Sequence, residues 1–186
     1  VVHNGIIENA STLRAQLEAR GVTFASETDS EIIAHLIAAN IDDSPLEVAV
    51  GSALRLLVGT YGLAVLDADR PETIVVARNG SPVILGIGEH EMFFASDAAA
   101  LVHYTRSVVH LDDGELAVVR PDGFATATLD GSSILKTPSA ILLTDESLDR
   151  GSFDHYMRKE IAEQAEAVRR TLSGRLEQRF HTTHLG

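Results

Sequence analysis

Apolar positions along the chain fall first in a helical rhythm and later in an extended one. Val1-Val2 reads as the end of a strand, and Asn4-Gly5 as a turn dipeptide that tolerates unusual backbone angles. Leu13 and Leu17 share one face, with Arg14, Glu18 and Arg20 off it. This predicts a helix capped at Asn9 or Ser11, running to about Arg20 and stopped by Gly21. Val22-Thr23-Phe24 reads as a short strand. Ile32, Ile33, Leu36 and Ile37 form the stripe of a second helix ending at Ile41. Thr28 with Glu31 three residues on has capping-box spacing, which places the acidic segment Ser26–Glu31 at that helix's N-terminus. A third helix runs from Ser44-Pro45 to about Val58, with Leu46, Val50, Leu54 and Leu57 inward.

Beyond Gly59 the period shortens. Tyr61–Leu66, Thr73–Ala77, Pro82–Ile87 and Met92–Ala95 read as strands, followed by a short helix over Ala98–His103. Strands over Ser107–Leu111, Glu115–Val119 and Phe124–Leu129 follow, with Asp-Gly turns at Asp113-Gly114, Asp122-Gly123 and Asp130-Gly131. Helices grouped first and antiparallel strands later imply an α+β layered domain, not an alternating parallel one. The pattern loosens over Ser132–Asp149. A long helix rich in Glu, Gln, Ala and Arg then runs from about Phe153 to Leu172 and reads as a domain connector.

A length of 186 residues suits one domain with a tail, and 45% hydrophobic with 23% charged residues is the make-up of an ordinary soluble protein. The net charge of -12 argues against a nucleic-acid partner. No apolar run is long enough for a membrane span and no signal-peptide pattern opens the chain. The absence of cysteine rules out disulfides, thiolate metal sites and a cysteine nucleophile in these residues, and fits a cytoplasmic location.

Candidate chemistry is concentrated near the start. A strand that brings an Asn side chain and an unhindered Gly N–H to one place offers two donors to a developing oxyanion; an ordinary hairpin turn is the competing reading of Asn4-Gly5. In Ser26–Glu31, Asp29 is the carboxylate that could turn inward and hold an ammonium group, against a solvated helix start. Gly80-Ser81-Pro82 and Gly86-Ile87-Gly88 are turns, since neither opens a helix after a strand. Ser96-Asp97 is a cap. His181 and His184 lack the further ligands a metal site needs, and His35 and His110 stand in no triad.

Taken together, His3-Asn4-Gly5-Ile6-Ile7-Glu8-Asn9 and Ser26-Glu27-Thr28-Asp29-Ser30-Glu31 resemble the glutaminase domain of class II glutamine amidotransferases. Arg78-Asn79-Gly80-Ser81-Pro82, Ala95-Ser96-Asp97 and His155-Tyr156-Met157-Arg158-Lys159-Glu160-Ile161 narrow the resemblance to the glucosamine-6-phosphate synthase branch, the last matching its interdomain linker. The resemblance runs from Val1 to about Gly174. It implies an N-terminal-nucleophile αββα sandwich, here without its N-terminal part. Residues 1–150 would be the later part of the glutaminase domain, and 151–186 a linker helix and tail towards a sugar-isomerase domain. It implies Asn4 and Gly5 as the oxyanion hole, and Gly5 and Asp29 as glutamine ligands. It implies no cofactor and no metal, glutamine or glutamate as partner, fructose 6-phosphate as acceptor through the isomerase domain, and a homodimeric full-length enzyme.

The family's nucleophile is a mature N-terminal cysteine activated by its own α-amine, and its Arg-Trp-Ala-Thr-His-Gly loop binds the glutamine carboxylate. This sequence begins at Val1 and has neither, so the 186 residues alone are expected to be inactive. The alternatives are another class II enzyme, such as an amidophosphoribosyltransferase, and a non-catalytic glutamine- or glutamate-binding module.

Overall fold

The computed structural model describes residues 1–41, 44–142 and 150–173, with two short strands beyond. The chain divides into a unit spanning Val1–Leu142 and another spanning Leu143–Gly186.

In the first unit the leading strand β1 (Val2–Ile7) is followed by helices α1 (Ala10–Glu18), α2 (Asp29–Ile41) and α3 (Leu46–Leu54). Strands β2 (Gly59–Leu66), β3 (Ile74–Asn79), β4 (Ile84–Ile87), β5 (Met92–Ala95), β6 (Ser107–His110), β7 (Glu115–Arg120), β8 (Gly123–Thr128), β9 (Ser133–Ile134) and β10 (Ser139–Ala140) follow. Six of the strands form one antiparallel sheet in the order β1-β2-β3-β7-β8-β9, and four form a second, β10-β6-β4-β5.

Alternation along the strands explains the layering, since successive side chains leave a sheet on opposite faces. Leu63, Val65, Val75, Ala77, Leu116 and Val118 face the helices and join the Leu13, Leu17, Ile32, Ile33, Leu36 and Val50 stripes in one core. Their neighbours Ala64, Val76, Ala117 and Val119 face the second sheet and pack on Val83, Leu85, Val109 and Leu111. Helices, sheet and sheet are thus stacked, as the N-terminal-nucleophile sandwich requires. The outer side of the second sheet is covered over Gly86 by Leu101 and Thr105.

Several local expectations change. Asn4-Gly5 is not a hairpin turn: both residues lie inside β1, paired with Gly62 and Tyr61. Val22–Phe24 forms no strand, because Phe24 instead meets the His35 ring edge-on and lies beneath the Arg14 guanidinium, 4.0 Å away. Helix α3 stops at Leu54, and the short helix after β5 is a 3-10 turn over Ala98–Ala100. The capping box is also different. Glu31 reaches past Thr28 to the Ala25 and Ser26 N–H groups, both at 2.7 Å, and to the Ser26 hydroxyl.

In the second unit, helix α4 (Tyr156–Leu172) starts slightly later than its sequence suggested, and β11 (Leu176–Glu177) pairs with β12 (Thr182–Thr183). Met157, Ile161 and Val168 on α4 are exposed. Among the described residues no helix is long and apolar enough to cross a membrane.

Candidate active site

Strand β1 is an edge strand, and its pairing decides which of its amides are available. Just past its end, the Glu8 N–H donates to the Val58 carbonyl at 2.8 Å. In an antiparallel ladder, hydrogen-bonded and non-hydrogen-bonded pairs alternate. Counting back from Glu8, Ile7, Gly5 and His3 therefore turn their N–H groups away from β2, towards the open edge. The Ile7 amide agrees with this count: it leaves the sheet to donate to Asp29 Oδ2 at 3.1 Å.

Gly5 could be no other residue in this geometry. Its φ is +142°, and a Cβ there would sit 2.1 Å from the Thr60 carbonyl oxygen. Gly59 across the ladder is held the same way, with φ +129° and a Cβ position 2.2 Å from the Ile6 carbonyl. Two glycines thus let β1 and β2 approach more closely than side chains permit, and the N–H of Gly5 lies unshielded by a Cβ. The neighbouring Asn4 side chain is exposed, and its amide has no hydrogen-bond partner among the described residues.

Asp29 is the first residue of α2, so its carboxylate sits at the positive end of the helix. Besides the Ile7 amide it approaches His3, whose Nδ1 lies 3.5 Å from Oδ1. The Ser30 hydroxyl is 3.3 Å from the same ring nitrogen. The Asp29 side chain is 28% exposed, so part of the carboxylate remains open to a ligand while the His3 side chain, at 2%, is buried.

The loop before α2 is fixed by Glu31. The Ala25 N–H, then the Ser26 hydroxyl and N–H, hold its carboxyl down to about 2, from an ordinary 4.5. Asn9 occupies the N-cap position of α1 but makes no capping bond. Its Nδ2 donates to the Leu56 carbonyl at 2.9 Å and its Oδ1 accepts from the Val58 N–H at 3.0 Å. That double bond pattern draws residues 56–58 out of helical geometry, which is why α3 is shorter than its apolar period.

The sequence candidates therefore sort by position. Asn4 and Gly5 are neighbours within β1, and Asp29 is bonded to the same strand at Ile7, two residues beyond Gly5. Gly80 is a turn residue whose N–H donates to Asp113 Oδ1, and Asp97 caps the 3-10 turn through the Ala99 N–H. His35 approaches Glu31 within α2 and His110 is an exposed strand end. His181 and His184 lie outside the described residues. Among the described residues no group of three or more His, Cys, Asp and Glu side chains could hold a metal. A cavity of about 420 Å3 bounded by Arg55, Leu116, Val118, Ala127 and Asp130 lies between α3 and β7–β8, a different part of the sheet. His3 is the functional candidate that sequence reading passed over. The usable signal was its position two residues before Gly5, on the strand face shared with Ile7.

The strand thus carries an outward backbone N–H at Gly5, an exposed Asn4 beside it and, bonded at Ile7, a carboxylate whose side chain is partly exposed. The family model for a glutamine amidotransferase domain matches residues 1–103. A glutamine–fructose-6-phosphate aminotransferase (isomerizing) from Chlorobaculum tepidum is 43% identical over all of this chain and 31% of its own length. The Escherichia coli protein of that name is 41% identical over 95% of the chain and 29% of its own length. The chain therefore spans about three-tenths of these relatives. The solved glutamine phosphoribosylpyrophosphate amidotransferase of B. subtilis superposes with a TM-score of 0.60 at 25% identity, over 69% of this chain and 28% of that one.

Proposed function

The chain belongs to the glutamine amidotransferase domain family, and from that premise we propose that it forms the later part of a glutaminase domain within a longer enzyme. That enzyme hydrolyses glutamine and passes the ammonia to fructose 6-phosphate, giving glucosamine 6-phosphate. The reading assigns residues 1–150 to the glutaminase domain and 151–186 to a linker leading to a sugar-isomerase domain. The similarity to the two aminotransferases named above supports the acceptor, and the separation of Val1–Leu142 from the following unit supports the division. The full-length enzyme acts as a homodimer in the cytoplasm.

What supports the proposal is that Asn4 and Gly5 are adjacent in strand β1, where the alternation of the ladder turns the Gly5 N–H away from β2, and that Asp29 accepts from the Ile7 N–H of the same strand. When a nucleophile adds to the glutamine side-chain amide, the carbonyl oxygen gains negative charge. The Gly5 N–H and Asn4 Nδ2 receive that oxygen, and Asp29 holds the substrate's α-ammonium group. Fixed donors of this kind require no reorganisation at the moment of reaction. The nucleophile lies outside this sequence, which contains no cysteine. On this reading the 186 residues alone release no glutamate from glutamine.

Asn4→Ala in the full-length enzyme tests the assignment. The glutaminase turnover is expected to fall roughly a hundredfold to a thousandfold, the usual effect of removing one oxyanion donor. Glutamine affinity moves much less, because the donor acts mainly in the transition state. A normal turnover per folded molecule with a lowered melting temperature would make Asn4 a structural residue only.

A further inference from the structure

The Asp29 carboxylate is held twice by one strand. Ile7 donates its backbone N–H to Oδ2 at 3.1 Å, and His3 brings Nδ1 to 3.5 Å from Oδ1. His3 and Ile7 lie two residues to either side of Gly5 and share its face of β1. The two anchors therefore tie the carboxylate to the stretch of edge that contains the proposed oxyanion donor.

We infer that His3 is a positioning residue that fixes Asp29 for the substrate's α-ammonium group. This rests on the glutamine-binding role given to Asp29 above. The imidazole side chain is 2% exposed and its Nε2 is buried with no hydrogen-bond partner among the described residues. A proton on Nε2 would be an orphaned buried donor, and it would leave the Nδ1 lone pair facing a carboxylate oxygen. With the proton on Nδ1, both faults disappear: the nitrogen then has a proton to offer to the Ser30 hydroxyl at 3.3 Å and to the Asp29 Oδ1 side, 3.5 Å away. The tautomer follows from these partners, in the way that a second hydrogen bond sets a ligating histidine. An aspartate held only through the Ile7 amide could rotate about its Cα–Cβ bond. One held at both oxygens presents its remaining lone pairs in a single direction.

The test uses the full-length enzyme with two substrates, glutamine and glutaramate, the analogue that lacks the α-amino group. Replacing His3 by leucine is expected to raise KM for glutamine roughly tenfold to a hundredfold, the range for losing a residue that orients a binding group. The glutaminase kcat should stay within about threefold, since the oxyanion donors are untouched. Turnover of glutaramate should match the wild type, because it has no ammonium to misplace.

His3→Asn carries an amide nitrogen at the position of Nδ1 and should restore most of the glutamine KM. His3→Gln, whose amide reaches the position of Nε2, should not. An unchanged glutamine KM in His3→Leu, or an equal loss on both substrates, would overturn the inference. Equal rescue by Asn and Gln would overturn it as well, and that pair decides the matter if His3→Leu does not fold. Asp29→Ala is run alongside. If it fails to discriminate the two substrates, the reading of Asp29 itself is wrong. If it discriminates and His3→Leu does not, only the role of His3 fails.

Discussion

Gly5→Ala puts the geometry of the β1 edge to a quantitative test. Two penalties add. The residue sits at φ +142°, a region reserved almost entirely for glycine, and holding an alanine there costs about 1–3 kcal/mol. The new methyl would also lie 2.1 Å from the Thr60 carbonyl oxygen, with the carbonyl carbon at 2.7 Å and the Tyr61 Cα at 2.9 Å. All three are backbone atoms in the middle of the β1–β2 ladder, so no side-chain rotation can relieve the clash. The strands must part, at about 1–3 kcal/mol for overpacking of this kind. A total of about 2–6 kcal/mol is a large share of the roughly 5–15 kcal/mol that holds a typical domain together. Gly114→Ala is the control: its φ is +80°, but no atom lies within 4 Å of its Cβ position, so it carries only the backbone strain of about 1–2 kcal/mol. Urea denaturation followed by far-ultraviolet circular dichroism compares the two. Gly5→Ala should be less stable than Gly114→Ala by about 2 kcal/mol or more. Equal midpoints and slopes would refute the close approach of β1 to β2, and with it the reason for a glycine at the proposed oxyanion donor.

Asp29→Ala in the full-length enzyme should weaken glutamine use by on the order of 2–5 kcal/mol, measured as kcat/KM, while sugar-phosphate isomerisation survives; unchanged glutamine kinetics would reduce Asp29 to a helix-terminal charge. Glu31 predicts a pH effect whose sign follows from its folded value of about 2, below its ordinary 4.5. The lowered value means that its contribution to stability is fully present above pH 4.5 and is lost as pH falls towards 2. Other carboxylates titrate there too, so the readout is the difference in melting temperature between wild type and Glu31→Gln, which should shrink across that window; a constant difference would show that the Ala25 and Ser26 contacts do not hold the carboxylate.

The elements that could be read in the sequence were those with a local signature. The Ile32–Ile37 stripe and the Asp-Gly turns at Asp122 and Asp130 announce α2 and the β7–β8–β9 meander without reference to anything distant. What failed depended on partners. Val22–Phe24 has strand-forming residues but no ladder to join, and Phe24 packs its ring on His35 instead. The end of α3 is set by Asn9, 47 residues earlier than the Leu56 carbonyl it binds. Asn4-Gly5 looks like a turn until β2 is placed beside it, with Gly62 and Tyr61 opposite and the Thr60 carbonyl in the space a Gly5 Cβ would need. The proposed site shows the same division. Asn4, Gly5 and Asp29 were visible as members of two short motifs. His3 was not, because a single histidine in an apolar strand gives no hint of what it meets. Its role depends on α2 returning its N-terminus to the strand that begins the chain.

An unpaired strand is a template on which another polypeptide can add itself, and β1 presents such an edge with Val2 74% and Ile6 71% exposed beside it. Asp29 interrupts that template. Its carboxylate already occupies the Ile7 amide, and an incoming strand would have to displace a charged group to extend its ladder beyond Gly5. What remains open between His3 and Gly5 is too short for a foreign strand to find a stable register. For these 186 residues by themselves, the acidic residue given a role in holding substrate thereby also blocks part of a strand edge, so that its loss should show in their solubility.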